Sequence, residues 1–289
     1  MNAVSAPRQA MSGPANASRR FTLGDVVNRS EALPNRYALH AREGWGKTSF
    51  AAQAPKPIFL QTRGETGLDT LIEANQLPET PHFPEIQTWE ELLDAVKALT
   101  QDEHPFKTLV LDTVNGAERL CYEYVCRTQF NGDWSDRGFT GYMRGYEAAL
   151  APWREFLNAI DELRRVRKMM VFFLIHTKIK TFKNPEGPDY DRWAPDMHEK
   201  CWSLTHKWLD CVLFGNFEVV VKGTNDATKK GKATESTCRL LYTQQRPAFD
   251  AKNRMGLPEE IEMGTSAAAG WKAFTEALVT AKKAGQSNG

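Results

Sequence analysis

The sequence predicts an α/β fold in which a mostly parallel sheet has helices on both faces and is extended by a late β-hairpin. Short apolar runs alternate with segments of helical periodicity, which is typical of parallel strands joined by crossover helices. The strand-like runs lie at residues 37–40, 58–61, 108–112, 169–176 and 212–214. The helical patterns lie at residues 89–99, 117–126 and 142–166. Two further strand-like runs, 217–222 and 237–243, flank a loop rich in Gly, Lys and Thr and predict the hairpin.

The chain has 289 residues, enough for one large domain or two small ones. Residues 1–20 are rich in Ala, Ser, Asn and Pro and lack apolar periodicity, so we predict a disordered arm. Residues 21–263 are predicted to form the α/β domain. Residues 264–289 are predicted to form a short amphipathic helix around Trp271, Phe274 and Leu278, followed by a flexible tail from Ala281.

Composition limits the kinds of partner and compartment. Lys and Arg number 37 against 36 Asp and Glu, giving a net charge of +1. A nucleic acid would therefore have to meet a local basic patch. The cysteines are odd in number and widely spaced, which is typical of reduced thiols in a cytoplasmic protein: Cys121, Cys126, Cys201, Cys211 and Cys238. We find no signal peptide and no apolar run of membrane length, so we expect no membrane partner and a cytoplasmic location.

The most informative motif is a phosphate-binding loop over residues 41–48, Ala-Arg-Glu-Gly-Trp-Gly-Lys-Thr. It follows the first apolar run and precedes a helical start, as the pattern G-x-x-x-x-G-K-[ST] requires, although Ala41 replaces the first Gly. In such loops, backbone N–H groups surround the phosphates and the Lys reaches the β and γ phosphates. The predicted nucleotide contacts are Gly44, Trp45, Gly46, Lys47, Thr48 and Ser49. An ordinary glycine-rich turn would explain the glycines but not the Gly-Lys-Thr arrangement.

A phosphate-binding loop needs a second acid to hold Mg²⁺, and Asp112 has the expected position. It ends the apolar run Thr108–Asp112. We predict that Asp112 binds Mg²⁺ through water and that Thr48 binds the ion with its hydroxyl. An isolated Asp at a strand end can also simply terminate a strand.

Two more polar residues follow predicted strands, at the sheet edge where the ligands of open α/β sheets bind. Glu65 lies just after the second strand and could orient or deprotonate an attacking water, but its spacing fits a solvated loop carboxylate equally well. His176 ends the fourth strand and could contact a γ-phosphate, or it could simply cap the strand. From sheet position alone, the capping role is slightly favoured.

Two segments mix aromatic and basic residues, around residues 130–146 and 177–195. Such a mixture suits single-stranded nucleic acid, because aromatic rings stack on bases and cations contact phosphates. Each aromatic residue taken alone is more typical of a core, so only the pair of segments favours DNA. The predicted DNA contacts are Arg137, Tyr142, Arg144, Lys178, Lys180, Lys183 and Trp193.

Over residues 36–260 the chain resembles the phage RecA-like ATPases of the Sak type, which act in single-strand annealing and recombination. The resemblance rests on Gly44–Thr48, Glu65–Leu68, Leu111–Thr113 and Ile175–Lys178, and above all on Asp250–Arg254 followed by Gly256-Leu257-Pro258. It implies a RecA-like P-loop NTPase core. It also implies that Glu65 is the catalytic acid, that His176 senses the γ-phosphate, and that the two aromatic-basic segments face DNA.

The resemblance further implies a ring or filament of identical subunits with ATP between them. Lys252 and Arg254 would then reach the γ-phosphate of a neighbouring subunit, where cations stabilise charge on the transferred group. The implied setting is the cytoplasm of a phage-infected bacterium, where a single-strand binding protein is a further expected partner.

The sequence therefore predicts a Mg²⁺-dependent ATPase that assembles on single-stranded DNA, is stimulated by it, and promotes annealing or recombination. The alternative is a nucleotide-switched assembly or loading factor with no DNA-strand activity of its own. A small-molecule phosphotransferase is disfavoured, because no compact arginine-rich lid follows the core.

Overall fold

The computed structural model describes residues 23–27, 32–222 and 232–287. The chain divides into Met1–Ala32 and Leu33–Gly289. In the first unit, Leu23–Asp25 is a single 3₁₀ turn, and the side chains of Leu23, Val26 and Val27 are exposed. The arm predicted over residues 1–20 and the loop at residues 223–231 lie outside the described residues.

The second unit contains strands and helices in mixed order. The strands are β1 (Arg36–Ala41), β2 (Pro57–Gln61), β3 (Thr108–Asp112), β4 (Met170–Phe182), β5 (Tyr190–Pro195), β6 (Cys211–Lys222), β7 (Lys232–Tyr242), β8 (Lys252–Asn253) and β9 (Glu260–Glu262). The helices are α1 (Lys47–Ala51), α2 (Gly67–Glu73), α3 (Trp89–Gln101), α4 (Val114–Gln129), α5 (Arg144–Ala148), α6 (Leu150–Arg167), α7 (Glu199–Trp208) and α8 (Ala267–Ser287).

The described strands form one sheet, ordered β2-β3-β4-β1-β6-β7-β9. The first five strands in this order are parallel, whereas β7 pairs antiparallel with both β6 and β9. The β4 strand continues past the sheet and forms a hairpin with β5, while β8 pairs with the start of β6. The predicted α/β class, with a mostly parallel sheet and a late hairpin, is confirmed.

Each face of the sheet packs against its own group of helices. On one face, α3, α4 and α6 supply a core in which Trp89 and Trp153 stack with ring centroids 5.9 Å apart. On the other face, Tyr37 and Phe172 stack at 4.7 Å and pack against Phe274 of α8. Because both faces are covered, the inner strands are almost continuously apolar rather than alternating, and His40 of β1 is buried among them. No helix in the described residues is long and apolar enough to cross a membrane.

The structure differs from the sequence prediction at several places, among them β5 and α7, which the patterns did not predict. The helix predicted over residues 142–166 is divided into α5 and α6, because Pro152 has no N–H to continue the hydrogen bonding of α5. The runs at residues 212–214 and 217–222 form one strand, β6. Helix α8 continues to Ser287 where a flexible tail is predicted from Ala281, because Ala281 still packs against the core and strong helix formers follow it.

Candidate active site

The phosphate-binding loop joins β1 to α1 at the carboxyl edge of the sheet. Gly44 and Gly46 have φ angles of 75° and 93°, in the left-handed region that favours glycine. Ala41 instead is the last residue of β1, where it is buried and pairs with His176 and Gly215 on the two neighbouring strands. Its φ is not positive. A glycine is therefore not required at the first motif position.

The indole of Trp45 attaches this loop to the sheet. Its Nε1 donates to the carbonyl oxygens of Asn216 and Leu240, both at 3.2 Å, and the residue is almost fully buried. A Cβ on Gly215 would lie 2.7 Å from the indole ring, so only glycine leaves room for it. Arg239 of β7 donates to the Trp45 carbonyl at 3.3 Å. The side chain of Trp45 thus faces the core, and only its backbone lies along the loop.

Lys47, Thr48 and Asp112 lie together beneath the loop. Lys47 Nζ donates to the Ala41 carbonyl at 3.3 Å, and Thr48 Oγ1 donates to Asp112 Oδ2 at 2.8 Å. Burial lowers the pKa of Lys47, while the nearby carboxylates of Asp112 and Glu65 act in the opposite direction. Burial also raises the pKa of Asp112 to about 6. A direct hydrogen bond thus joins the two residues that are predicted to hold Mg²⁺.

These residues fit a nucleoside triphosphate with Mg²⁺. The described residues contain no group of three His, Cys, Asp or Glu side chains that could hold a metal by themselves. A cation beside Thr48 and Asp112 would therefore complete its shell with water and phosphate oxygens, as Mg²⁺ commonly does. When bound, Mg²⁺ would neutralise charge that develops on the phosphates.

Glu65 and His176 meet on the open side of the same site. Glu65 Oε1 lies 2.9 Å from His176 Nε2 and accepts a hydrogen bond from Thr113 Oγ1 at 3.0 Å. The hydrogen bond to His176 lowers the pKa of Glu65, and the same bond raises the pKa of His176. The next turn also approaches the loop, since a Cβ on Gly67 would lie 3.7 Å from Thr48 Oγ1. Glu65 thus lies close to Lys47 of the loop and is not a distant loop carboxylate.

Strand order explains why these residues meet. The β4 strand lies between β1 and β3, so its end falls between the phosphate-binding loop and Asp112. In register, His176 pairs with Ala41, and Asp112 pairs with both Leu174 and Gln61. Carboxyl ends of parallel strands meet at one sheet edge, where ligands bind. Thr113 and Arg239, to which the sequence patterns assigned no role, also lie here.

The two predicted DNA segments meet at one open cavity of about 840 Å³. Met143 lies on one side, and the β4–β5 hairpin contributes cationic residues from the other. Tyr142 is 98% exposed and has a φ of 50°. The cationic lining residues are Lys178, Lys180, Lys183 and Arg192.

Other predicted DNA contacts are already engaged within the chain. Trp193 is half-buried and packs against the small cluster of Phe214 and Phe249. Arg144 donates to the carbonyls of Arg137 and Gly138, so it fastens its own loop. Arg137, by contrast, is exposed.

Lys252 and Arg254 lie away from the phosphate-binding loop of their own chain. Lys252 pairs with Val212 near the start of β6, whereas Ala41, where the loop begins, pairs with Gly215 three residues further along that strand. Its Nζ donates to the carbonyls of His206 and, at 2.6 Å, Leu209, where α7 ends. Arg254 is exposed. Lys252 therefore caps α7 within its own chain, and Arg254 is the more exposed of the two predicted cations.

A family model described as an AAA domain matches residues 33–255, most of the chain. The chain belongs to the AAA domain family. It is an AAA-type P-loop ATPase domain, in agreement with the loop, Asp112 and the sheet. Among solved structures, the crystal structure of the RadB recombinase is similar over 82% of this chain and 90% of that chain, with a TM-score of 0.42 and 10% sequence identity. The search of the curated proteins finds no significant match.

Proposed function

We propose that this AAA-type domain hydrolyses ATP with Mg²⁺ and that single-stranded DNA stimulates the hydrolysis. In this proposal the protein assembles on DNA in the cytoplasm of a phage-infected bacterium and promotes annealing or recombination, as its resemblance to the Sak-type ATPases implies. The observation that carries the ATPase part is the contact of Glu65 with His176 beside the Thr48–Asp112 pair.

The contacts support a separate role for each side chain. Lys47 would neutralise the β and γ phosphates, and Thr48 with Asp112 would hold Mg²⁺. Glu65 would accept a hydrogen bond from the attacking water and orient it. Both hydrogen bonds that its carboxylate accepts from described residues fall on Oε1, which leaves Oε2 for water. His176, which is hydrogen-bonded to Glu65, would contact the γ-phosphate.

The shared cavity supports the DNA part of the proposal. A fully exposed ring at Tyr142 can stack on a base, and the row of Lys178, Lys180 and Lys183 can follow phosphates. The three lysines lie on the β4–β5 hairpin, which continues directly from His176, so a change at the nucleotide can reach them.

One observation favours the alternative, a nucleotide-switched assembly or loading factor. The three lysines already have acidic partners: Lys178 contacts Asp196 at 2.8 Å, Lys180 contacts Glu199 at 3.2 Å, and Lys183 contacts Asp189 at 2.6 Å. These pairs are exposed and therefore weak, so DNA could displace them, but they also lower the local positive charge.

The deciding experiment measures ATP turnover with Mg²⁺ alone, with an oligo-dT strand, and with a duplex of equal length. The DNA-stimulated ATPase predicts faster turnover with the single strand and an affinity that falls steeply with salt. Tyr142→Ala should weaken binding by about 1–3 kcal/mol, and Tyr142→Phe, which keeps the ring, should bind like the wild type. ATP turnover that neither DNA changes would favour the loading factor.

A matched pair of charge variants separates specific from general electrostatic effects. Lys180→Ala removes a charge that lines the cavity, whereas Lys97→Ala removes an exposed charge from α3. Only Lys180→Ala should reduce the slope of log affinity against log salt concentration, by about the amount expected for one released counterion. Equal effects from both variants would show that DNA does not bind in this cavity.

A further inference from the structure

Two polar side chains of α4 hold the segment that leads out of the β4–β5 hairpin. Asn115 and Glu118 lie three residues apart, and therefore on the same face of the helix. Asn115 Nδ2 donates to the carbonyl of Asp196 at 2.6 Å. The Glu118 carboxylate accepts the backbone N–H of His198 at 3.1 and 3.2 Å on its two oxygens. Both ends of residues 196–198 are thus attached to one helix.

Asn115 also reaches the active site. Its Oδ1 accepts the backbone N–H of His176 at 2.9 Å. The carbonyl of His176 in turn accepts the N–H of Asp196 at 2.8 Å. A single side chain therefore fixes the backbone of His176 and the exit of the hairpin. Asn115 follows Thr113 by two residues in the chain, and the Thr113 hydroxyl donates to Glu65.

Further contacts hold the attachment at Glu118. Glu118 is almost fully buried and also accepts a hydrogen bond from the Tyr122 hydroxyl at 2.7 Å. The ring of His198 stacks on Tyr146, with centroids 4.4 Å apart and planes inclined by 6°. A buried carboxylate with these partners is costly to separate from them, since each would be left unsatisfied.

We propose that Asn115 and Glu118 form a latch that positions His176 and transmits its displacement to the β4–β5 hairpin. The inference rests on the proposed function, in which His176 contacts the γ-phosphate. Asn115 is a positioning residue, since it acts through the backbone of His176. A shift of His176 changes the hydrogen bond to Asn115 and the bond to Asp196 together, so the hairpin exit must move with it or lose both bonds.

Hydrogen exchange of the full chain tests this latch. We compare residues 177–198 with ADP and with a non-hydrolysable ATP analogue in the wild type, Asn115→Ala and Arg127→Ala. Arg127→Ala is the matched control, because Arg127 lies on the exposed side of the same helix and contacts Glu90. The wild type and the control should show slower exchange with the analogue than with ADP. Asn115→Ala should exchange about tenfold faster in this segment in both states and should lose the difference.

Further measurements separate the latch from general instability. ADP affinity, measured with a fluorescent analogue, should change less than about threefold in Asn115→Ala, because Asn115 does not line the phosphate loop. If Asn115→Ala does not fold, Asn115→Asp replaces it. That variant keeps an acceptor for His176 but presents an oxygen to the Asp196 carbonyl, and it should release the hairpin with the same loss of nucleotide response.

The outcomes distinguish this inference from the proposed function. A nucleotide-dependent difference that persists in the Asn115 variant overturns the latch, as does its absence in the wild type. A wild type that shows the difference, loses it in the variant, and is not stimulated by DNA supports the latch while contradicting the DNA-dependent function.

Discussion

Glu65 Oε1 and His176 Nε2 lie 2.9 Å apart although 111 residues separate them in the chain. Each of these residues has an ordinary structural explanation when considered alone. Together with Thr113 they form a hydrogen-bonded group at the opening of the phosphate-binding loop. In the function proposed above, the water that attacks the γ-phosphate would bind beside this pair.

Glu65→Gln should leave ADP affinity near that of the wild type and slow ATP hydrolysis by roughly a hundred- to ten-thousand-fold, the range typical of a lost general base. The amide can still accept a hydrogen bond from Thr113, so the loop should keep its position. Single-turnover assays measure the effect. Glu73→Gln, which changes an exposed carboxylate of α2, serves as the control. Wild-type turnover in Glu65→Gln would assign the water to another residue.

The Glu65–His176 pair should also make stability depend on pH. The hydrogen bond between them raises the pKa of His176 above its ordinary 6.5 and lowers the pKa of Glu65 below its ordinary 4.5. The stability that His176 contributes is fully present below pH 6.5 and is lost as the pH rises through its higher folded pKa. The contribution of Glu65 is full above pH 4.5 and is lost as the pH falls through its lower folded pKa.

The difference in melting temperature between the wild type and His176→Gln should therefore be greatest between pH 4.5 and 6.5. Both side chains are partly exposed, so added salt should reduce it. The double variant Glu65→Gln/His176→Gln isolates the pair from the effects of each residue. A difference that is constant from pH 4 to pH 9, or that grows above pH 8, would contradict an ionic contact.

Local patterns were sufficient to predict the loop and the carboxylate of Asp112 that lies beneath it. Gly46, Lys47 and Thr48 are contiguous, and Asp112 ends an apolar strand, so short windows of sequence contain the needed information. The five parallel strands were predictable for the same reason, because burial on both faces makes each of them a continuous apolar run.

Contacts that depend on strand order were not predictable in this way. The pairing of His176 with Ala41 follows from β4 lying between β1 and β3, which is decided by tertiary packing and not by periodicity. Trp193 shows a related limit. An aromatic residue beside basic ones looks the same in sequence whether it faces DNA or, as here, packs against Phe249. Lys252 likewise gives no sequence signal that it caps α7.

Asp112→Asn should retain part of the nucleotide affinity but lose Mg²⁺-dependent turnover, because the carboxylate that anchors the metal's water is gone. The amide can still bond to Thr48, so the fold should be preserved. Titration of turnover with Mg²⁺ measures the effect, and circular dichroism checks the fold. An unchanged Mg²⁺ titration would remove Asp112 from the metal site.

Gly215→Ala should weaken nucleotide binding without touching the nucleotide. The added Cβ would lie 2.7 Å from the Trp45 ring and 2.8 Å from the Ala41 Cβ, so the loop must shift. Overpacking of this kind costs about 1–3 kcal/mol of unfolding free energy. Gly285→Ala is the control, because nothing lies within 4 Å of a Cβ there, and it should stabilise α8 slightly. Equal melting temperatures and ADP affinities in the two variants would show that Trp45 does not fix the loop.

The last prediction concerns Lys252 and Arg254 as cations that act on a neighbouring subunit. Lys252→Ala should lower the unfolding free energy by about 1–3 kcal/mol, because the carbonyls of His206 and Leu209 lose their donor. That loss would obscure any catalytic effect, so Arg254 provides the cleaner test. Arg254→Ala should keep the wild-type melting temperature, since Arg254 is exposed, and should lose DNA-stimulated turnover. Lys207→Ala, an exposed charge on α7, is the control.

Mixing variants determines whether Arg254 acts between subunits. Lys47→Ala should abolish ATP turnover by its own site but still offer Arg254 to a neighbour. Arg254→Ala keeps an intact loop but has no cation to offer. Mixed assemblies should therefore regain part of the DNA-stimulated activity that neither variant has alone, because some interfaces combine an intact loop with an intact Arg254. Cross-linking and size-exclusion chromatography establish that the two variants co-assemble. If co-assembled mixtures stay inactive, Arg254 works within its own subunit or supports only the fold.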